Sequence, residues 1–289
     1  MRIYRFIQEH RSIYPLDLMV RILEVSTSGF YDWLRRPKSR RARRREELTE
    51  SVREVFDDNY RIYGSRKVTE ALAEQNVKAC RNTVARIMQQ ERLRSRAQRR
   101  KFVVTTNSDH AQPIAENVLE RDFTAPAPNQ KWVADITYIP TASGFAYLAA
   151  VMDLCSRRIV GWSVSDSLDA SFVIDALRRA IEVRRPGPEL IHHSDRGTQY
   201  ASEAHRDVLE THGIECSMSR RGDCWDNAPM ESFMGALKTE WTRHHRYRSV
   251  EEVHRSLFEY IEIFYNRRRL HQALGYVSPQ QFEDQMAAA

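Results

Sequence analysis

Residues 131–164, KWVADITYIPTASGFAYLAAVMDLCSRRIVGWSV, are dense in β-branched and aromatic residues and are interrupted at Ser143-Gly144 and again at Cys155-Ser156-Arg157. Runs of this kind bounded by turn formers read as three β-segments, over 131–140, 145–153 and 158–164. Downstream the pattern changes period. DASFVIDALRRAIEVR sets Phe172, Ile174, Leu177 and Ile181 on the inner face of a helix, ELIHHSD is a short strand, and SEAHRDVLETHG is a helix. IECSMS is another strand, and after the turn-rich RRGDCWDNAP a helix runs from Met230 to about Trp241. A three-strand meander followed by helix, strand, helix, strand and helix predicts an α/β layout on a mixed sheet.

The flanks read as helical. Residues 1–36 are short helices, with Leu18, Ile22 and Val25 at helical spacing and Ser28-Gly29 as a break before FYDWL. Between 48 and 93 three helical segments follow, with Gly64-Ser65 as a turn and cap before Val68 and Leu72. NVKAC is a short turn, and Val84, Ile87 and Met88 mark the inner face of the helix opening RNTVAR. Two helices on a short turn match a helix-turn-helix, with Arg81, Asn82, Thr83 and Arg86 on the outer face as candidate DNA contacts. The expected organisation is 1–36 N-terminal helices, 37–100 helix-turn-helix-like module, 101–127 linker, 128–242 catalytic core and 243–289 helical C-terminal segment.

Charge is unevenly divided. Residues 1–101 hold 25 Lys and Arg against 13 Asp and Glu, a balance of +12, and the remainder hold 20 against 26, a balance of −6. A basic front suggests nucleic acid as the partner. No apolar run approaches the ~18 residues that span a bilayer, and no apolar leader follows Met1, so neither a membrane nor a secretory role is expected. Cys80, Cys155, Cys216 and Cys224 lack the spacing of a metal site or disulfide framework and read as free thiols in a reducing cytoplasm.

Three acids stand where an acid is conspicuous. Asp135 lies between WVA and ITYI, Asp195 ends the short strand after the first core helix, and Glu231 is in the first turn of the helix after RRGDCWDNAP. A carboxylate within an apolar strand must be paired, protonated or coordinated. Three such groups from separate elements can converge on divalent cations, and oxygen-only ligation favours magnesium or manganese over zinc. Taken singly, a strand aspartate is an ordinary edge residue and a first-turn glutamate simply suits the helix dipole.

WVADITYIP, HHSDRGTQY and DNAPMESFMGALKTE closely resemble the DDE transposase/retroviral-integrase superfamily. The resemblance is closest to insertion sequences whose transposase is read from two overlapping frames, with this chain like the downstream (OrfB-type) product. Asp195 and Glu231 are separated by 35 residues, the DD(35)E spacing of that group, and YNRRRLHQALGYVSPQQF extends the likeness to the C-terminal segment. The resemblance implies an RNase H-like core and Mg²⁺ or Mn²⁺, two ions, held by Asp135, Asp195 and Glu231. It also implies cleavage and joining of double-stranded DNA with water and then a 3′-hydroxyl as nucleophile. A homo-oligomer on DNA, an upstream-frame partner or fusion, and a place in the bacterial cytoplasm on the nucleoid are implied with it.

Around the triad, Asn227 and Lys238 lie four residues before and seven after Glu231, and the family often places a basic residue like Lys238 at the DNA end. Strand alternation sets His193 on the side of Asp195 and His192 opposite. His193, Asn227, Arg220 and Arg221 are candidate DNA contacts, and Trp225 suits stacking on DNA. Asp153 reads as structural, and Asp166, Asp169 and Asp226 as cap and loop residues. No third ligand accompanies the histidine pair, and the front lacks the His/Cys motif of retroviral integrases, so no zinc is expected. Two rivals stand: a catalytically silent DNA-binding regulator, and an RNase H-like nuclease that does not join strands.

Overall fold

The computed structural model describes residues 2–37, 39–97, 114–220 and 224–288. It divides into two compact units, residues 1–51 and 52–289.

The first unit holds α1 (Arg2–His10), α2 (Leu16–Ile22), α3 (Thr27–Arg35) and the start of α4 (Arg40–Asp58). Its small core is Ile7, Met19, Val20 and Phe30, flanked by Tyr4, Leu23 and Trp33. This corrects two expectations. Leu18 and Ile22 face outward, because the buried stripe of α2 is set by Met19 and Val20. Ser28 and Gly29 do not break a helix but lie in the first turn of α3, whose N-cap Ser26 accepts a hydrogen bond from Gly29 N at 3.0 Å. The break comes earlier, at Glu24, whose φ is +51°.

In the second unit, α4 is followed by α5 (Ser65–Glu74) and α6 (Arg81–Gln90). Val68 and Leu72 of α5 and Val84, Ile87 and Met88 of α6 are buried, so the apolar faces read from the sequence are the packed ones. Residues 101–113, the first part of the expected linker, lie outside the described residues. The described part of that segment packs on the core: Leu119 is buried and its N–H donates to Ser217 Oγ at 3.1 Å.

The sheet comprises β1 (Lys131–Thr141), β2 (Gly144–Asp153), β3 (Ile159–Ser165), β4 (Ile191–Ser194) and β5 (Glu215–Met218), in the order β3-β2-β1-β4-β5. The first three strands are an antiparallel meander; β4 runs parallel to β1, and β5 parallel to β4. α7 (Ala170–Arg184) crosses back over the sheet from edge strand β3 to β4, and α8 (Glu203–Thr211) makes the crossover that the parallel neighbours β4 and β5 require. Both helices cover one face through Trp132, Ala134, Phe172, Leu177, Tyr200 and Leu209. Gly161 makes the closest contact: a Cβ there would stand 2.2 Å from Ala176 O and 2.7 Å from Ala180 N.

α9 (Ala228–Glu240), α10 (Val250–Phe258), a π-helical stretch Glu259–Tyr265 and α11 (Pro279–Ala288) complete the unit. Edge strand β3 is closed by one amide side chain. Asn266 Oδ1 accepts from Ile159 N at 3.0 Å while its Nδ2 donates to Ile159 O at 2.9 Å, which imitates a neighbouring strand.

Candidate catalytic site

β4 is paired with β1 only across Lys131–Val133. Beyond that register β1 continues past the end of β4, and the chain leaving β4 delivers Asp195 beside the middle of β1, where Asp135 sits opposite Ala150 of β2. α9 supplies the third acid, Glu231 in its first turn. The start of α9 is tied to β1 by Asn227, whose Nδ2 donates to Ala134 O at 2.9 Å, one residue from Asp135.

All three acids are half-buried. Asp135 Oδ1 accepts from Ile136 N at 2.8 Å. Burial, then repulsion by Asp195 and a smaller push from Glu231, raises its carboxyl to about 8 against the relief of that N–H and of Lys238. Burial also raises Glu231. Asp195 Oδ1 accepts from Gly197 N at 2.9 Å, and a Cβ at Gly197 would lie 3.0 Å from that same oxygen. The glycine therefore lets the turn fold back on the carboxylate. Among the described residues no three of His, Cys, Asp and Glu form a preformed metal cage.

Lys238 is drawn toward this field. Its Nζ stands 4.7 Å over the ring of Tyr138, burial lowers its pKa and Asp135 raises it. Sequence reasoning passed over Tyr138, because alternation along β1 puts it on the face opposite Asp135 and exposure is not written in a local pattern.

The structure places the other sequence-predicted contacts as follows. His193 is fully buried, with Nδ1 2.8 Å from Ser217 Oγ and Nε2 3.0 Å from Ser219 Oγ, so it links β4 to β5. Burial pushes it down to about 4. Asn227 is likewise buried and positions α9. Arg220 is engaged by Asp226: its backbone N donates at 2.8 Å, Nε at 3.0 Å and Nη2 at 2.8 Å. Asp226 is fully buried and also accepts from Arg121 Nε at 2.7 Å and Asn117 Nδ2 at 3.0 Å. Arg220 foremost, with Arg121, holds its carboxyl well below the usual range. Asp226 is thus a buried anchor for the loop before α9.

Arg221 lies outside the described residues. Trp225 is exposed, as are Arg81, Asn82 and Arg86 on α6, with Thr83 half-exposed. Asp153 is structural: it is fully buried and accepts from Trp132 Nε1 at 3.2 Å and Asn129 N at 2.7 Å. Its register partner Trp132 points to the face opposite Asp135. A cavity of about 320 Å³ lined by Arg157, Ser232, Phe233 and Arg269 lies on another side of α9 and includes none of the three acids.

Residues 125–224 and 212–279 match models described as integrase core domain, and residues 43–102 a model described as HTH-like domain. The chain is 42% identical to an insertion element IS600 uncharacterized 31 kDa protein of Shigella sonnei, over 93% of this chain and 100% of that one. It is 39% identical to transposase InsF for insertion sequence IS3A of Escherichia coli K12, over 99% of each. Among solved structures, a simian T-cell lymphotropic virus intasome in complex with PP2A regulatory subunit B56 gamma aligns with a TM-score of 0.48 at 16% identity. That alignment covers 80% of this chain and 73% of the other.

Proposed function

Because this chain belongs to the IS3-type insertion-sequence transposases, we propose that it cleaves and joins the ends of its element at Asp135, Asp195 and Glu231. The family makes it a DDE-type polynucleotidyl transferase. The supporting observation is convergence. A strand interior, a strand end and a helix start bring three carboxylates into one electrostatic field with Lys238, and Asn227 clamps the helix start to the strand.

The donor set fits a hard divalent cation. It consists of carboxylate oxygens, and His193, the nearest histidine in sequence, has both nitrogens engaged by serines. Two magnesium or manganese ions held by Asp135, Asp195 and Glu231 would activate an attacking oxygen and stabilise a leaving one. The chain's own residues do the positioning. The Ile136 and Gly197 N–H groups orient the two aspartates, and Lys238 offers its charge to a phosphate of the DNA end. Water would cut first, releasing a 3′-hydroxyl that then attacks the target phosphodiester. The exposed residues of α6 would hold duplex DNA. We further propose a homo-oligomer assembled on DNA in the cytoplasm, with an upstream-frame partner or fusion.

The test is replacement of each acid by its amide: Asp135→Asn, Asp195→Asn and Glu231→Gln. Strand cleavage and joining on element-end duplexes in Mg²⁺ should fall by at least about 100-fold in each, with duplex binding largely kept. Retained turnover in any one variant removes that residue from the site.

A further inference from the structure

Beyond the register where β4 stops, β1 continues beside β2 and β3, and past the Tyr147–Ser165 pair β1 and β2 alone run on to the turn at Thr141–Gly144. Tyr138 and Phe145 stand on this arm with 38% and 50% of their surfaces exposed. Their ring centroids are 5.5 Å apart at 89°. Register pairs Tyr138 with Tyr147 and Phe145 with Pro140, which makes the two rings diagonal neighbours on one face. Each ring is held by a strand backbone and meets the other edge to face, so little order need be gained on binding. The tip is fixed as well, since Ala142 N donates to Tyr247 O at 2.9 Å.

Lys238 joins this pair to the carboxylates. Its ammonium is 4.7 Å over the Tyr138 ring and within the field of Asp135. Tyr138 lies three residues from Asp135, about 10 Å along a strand, but on the opposite face, so it cannot share a ligand with it. The outcome is an exposed aromatic step about 10 Å along the strand from Asp135, with a cation over its Tyr138 ring.

We propose that Tyr138 and Phe145 form a stacking platform for an unpaired nucleobase of the DNA end next to the scissile phosphate, while Lys238 neutralises the adjoining backbone. This rests on the active-site reading above. The occupant follows from chemistry. A base inside a duplex has both π faces covered by its neighbours, and only an unstacked base can offer one to Tyr138. The flanking ammonium complements a phosphate, and every base has a π face, so the platform is tolerant of sequence. A protein partner seated here would cover the cation and the approach to the acids together.

The test is a residue-by-base cycle with the full chain and a duplex of the element's terminal repeat. One duplex is intact and the other carries an abasic site at the nucleotide flanking the scissile phosphate. Loss of one stacked base should slow cleavage by roughly 5- to 150-fold. Tyr138→Ala and Phe145→Ala should each show a loss in that range on the intact duplex and little further loss on the abasic one. Tyr138→Trp should retain activity, which separates stacking from a folding defect. Equal effects of Tyr138→Ala on both duplexes, or none on either, would overturn the proposal while leaving the carboxylate assignment standing. Should the wild-type chain fail to cleave both alone and joined to its upstream-frame product, the active-site reading falls. Stacking is then read from quenching of 2-aminopurine at the flanking nucleotide on binding in Ca²⁺: loss of the quench in Tyr138→Ala supports the platform, and an unchanged quench overturns it.

Discussion

His205 is one of a group of buried polar residues on the helix-covered face of the sheet. Its ring lies 5.3 Å from that of His192 and 5.5 Å from that of Tyr200. Neither histidine's nitrogens nor the tyrosine hydroxyl has a hydrogen-bond partner among the described residues. Burial drives His205 down to about 4, below the ordinary value of about 6.5 in an unfolded chain. Above pH 6.5 both states are neutral and the group contributes no pH dependence. As pH falls from about 6.5 toward 4 the unfolded chain takes a proton that the fold refuses, and stability drops. The loss is on the order of 3 kcal/mol at its limit. His205→Leu should reduce that acid slope and leave stability near neutral pH equal or higher, since it removes unpaired polar atoms. Urea unfolding at pH 7.5 and 5 checks both. His192 and His193 show how a residue-scale reading succeeds and fails together. Alternation along the strand assigned their faces, but what His193 touches depended on Ser217 and Ser219, 24 and 26 residues away.

At the scale of elements, α9 carries Glu231 at one end and a buried ion pair at the other. Glu240 accepts from Arg269 Nη2 at 2.6 Å and Nε at 2.7 Å, and from the Tyr260 hydroxyl at 2.9 Å. The helix-turn-helix-like region docks on the same end. Tyr63 donates to Arg268 O at 3.1 Å and accepts from Leu270 N at 2.9 Å, and Tyr60 packs edge-on against Trp241 with centroids 4.9 Å apart. Arg269→Leu would leave Glu240 buried without its counter-charge and should cost about 3–5 kcal/mol. Adding Glu240→Leu should recover a large part of that, because two apolar groups leave no uncompensated charge. Chemical denaturation of the two variants decides it. An additive or worse double variant would show that the pair is held by its surroundings and not by its charges. The C-terminal helices were plain in the sequence as apolar periodicity. Their attachment was not, because the partners of Asn266 and Arg269 lie on β3 and α9, far away in sequence.

At the scale of the whole molecule, charge is segregated along the chain, with +12 over residues 1–101 and −6 over the rest. Affinity for duplex DNA should fall steeply with salt, and Arg81→Gln with Arg86→Gln should flatten the log–log slope by about one per lost phosphate contact. Cleavage at saturating DNA should change little. Anisotropy titrations across salt concentrations measure the slope, and an unchanged slope would take α6 out of the DNA-binding surface. The element order was legible because period, turn residues and caps are local: the meander at 131–164 and the alternation after it define a mixed sheet. The three acids were legible as a set only through motif order, since Asp135, Asp195 and Glu231 lie far apart in sequence. Tertiary structure decided what each polar group does. It buried His193, Asn227 and Asp226 as fasteners, set Asp153 on the face opposite Asp135, and left Tyr138 and Phe145 exposed beside Lys238. The physical reason is that secondary structure follows from neighbours along the chain, whereas burial, and with it the cost of charge and the reach of a side chain, follows from neighbours in space.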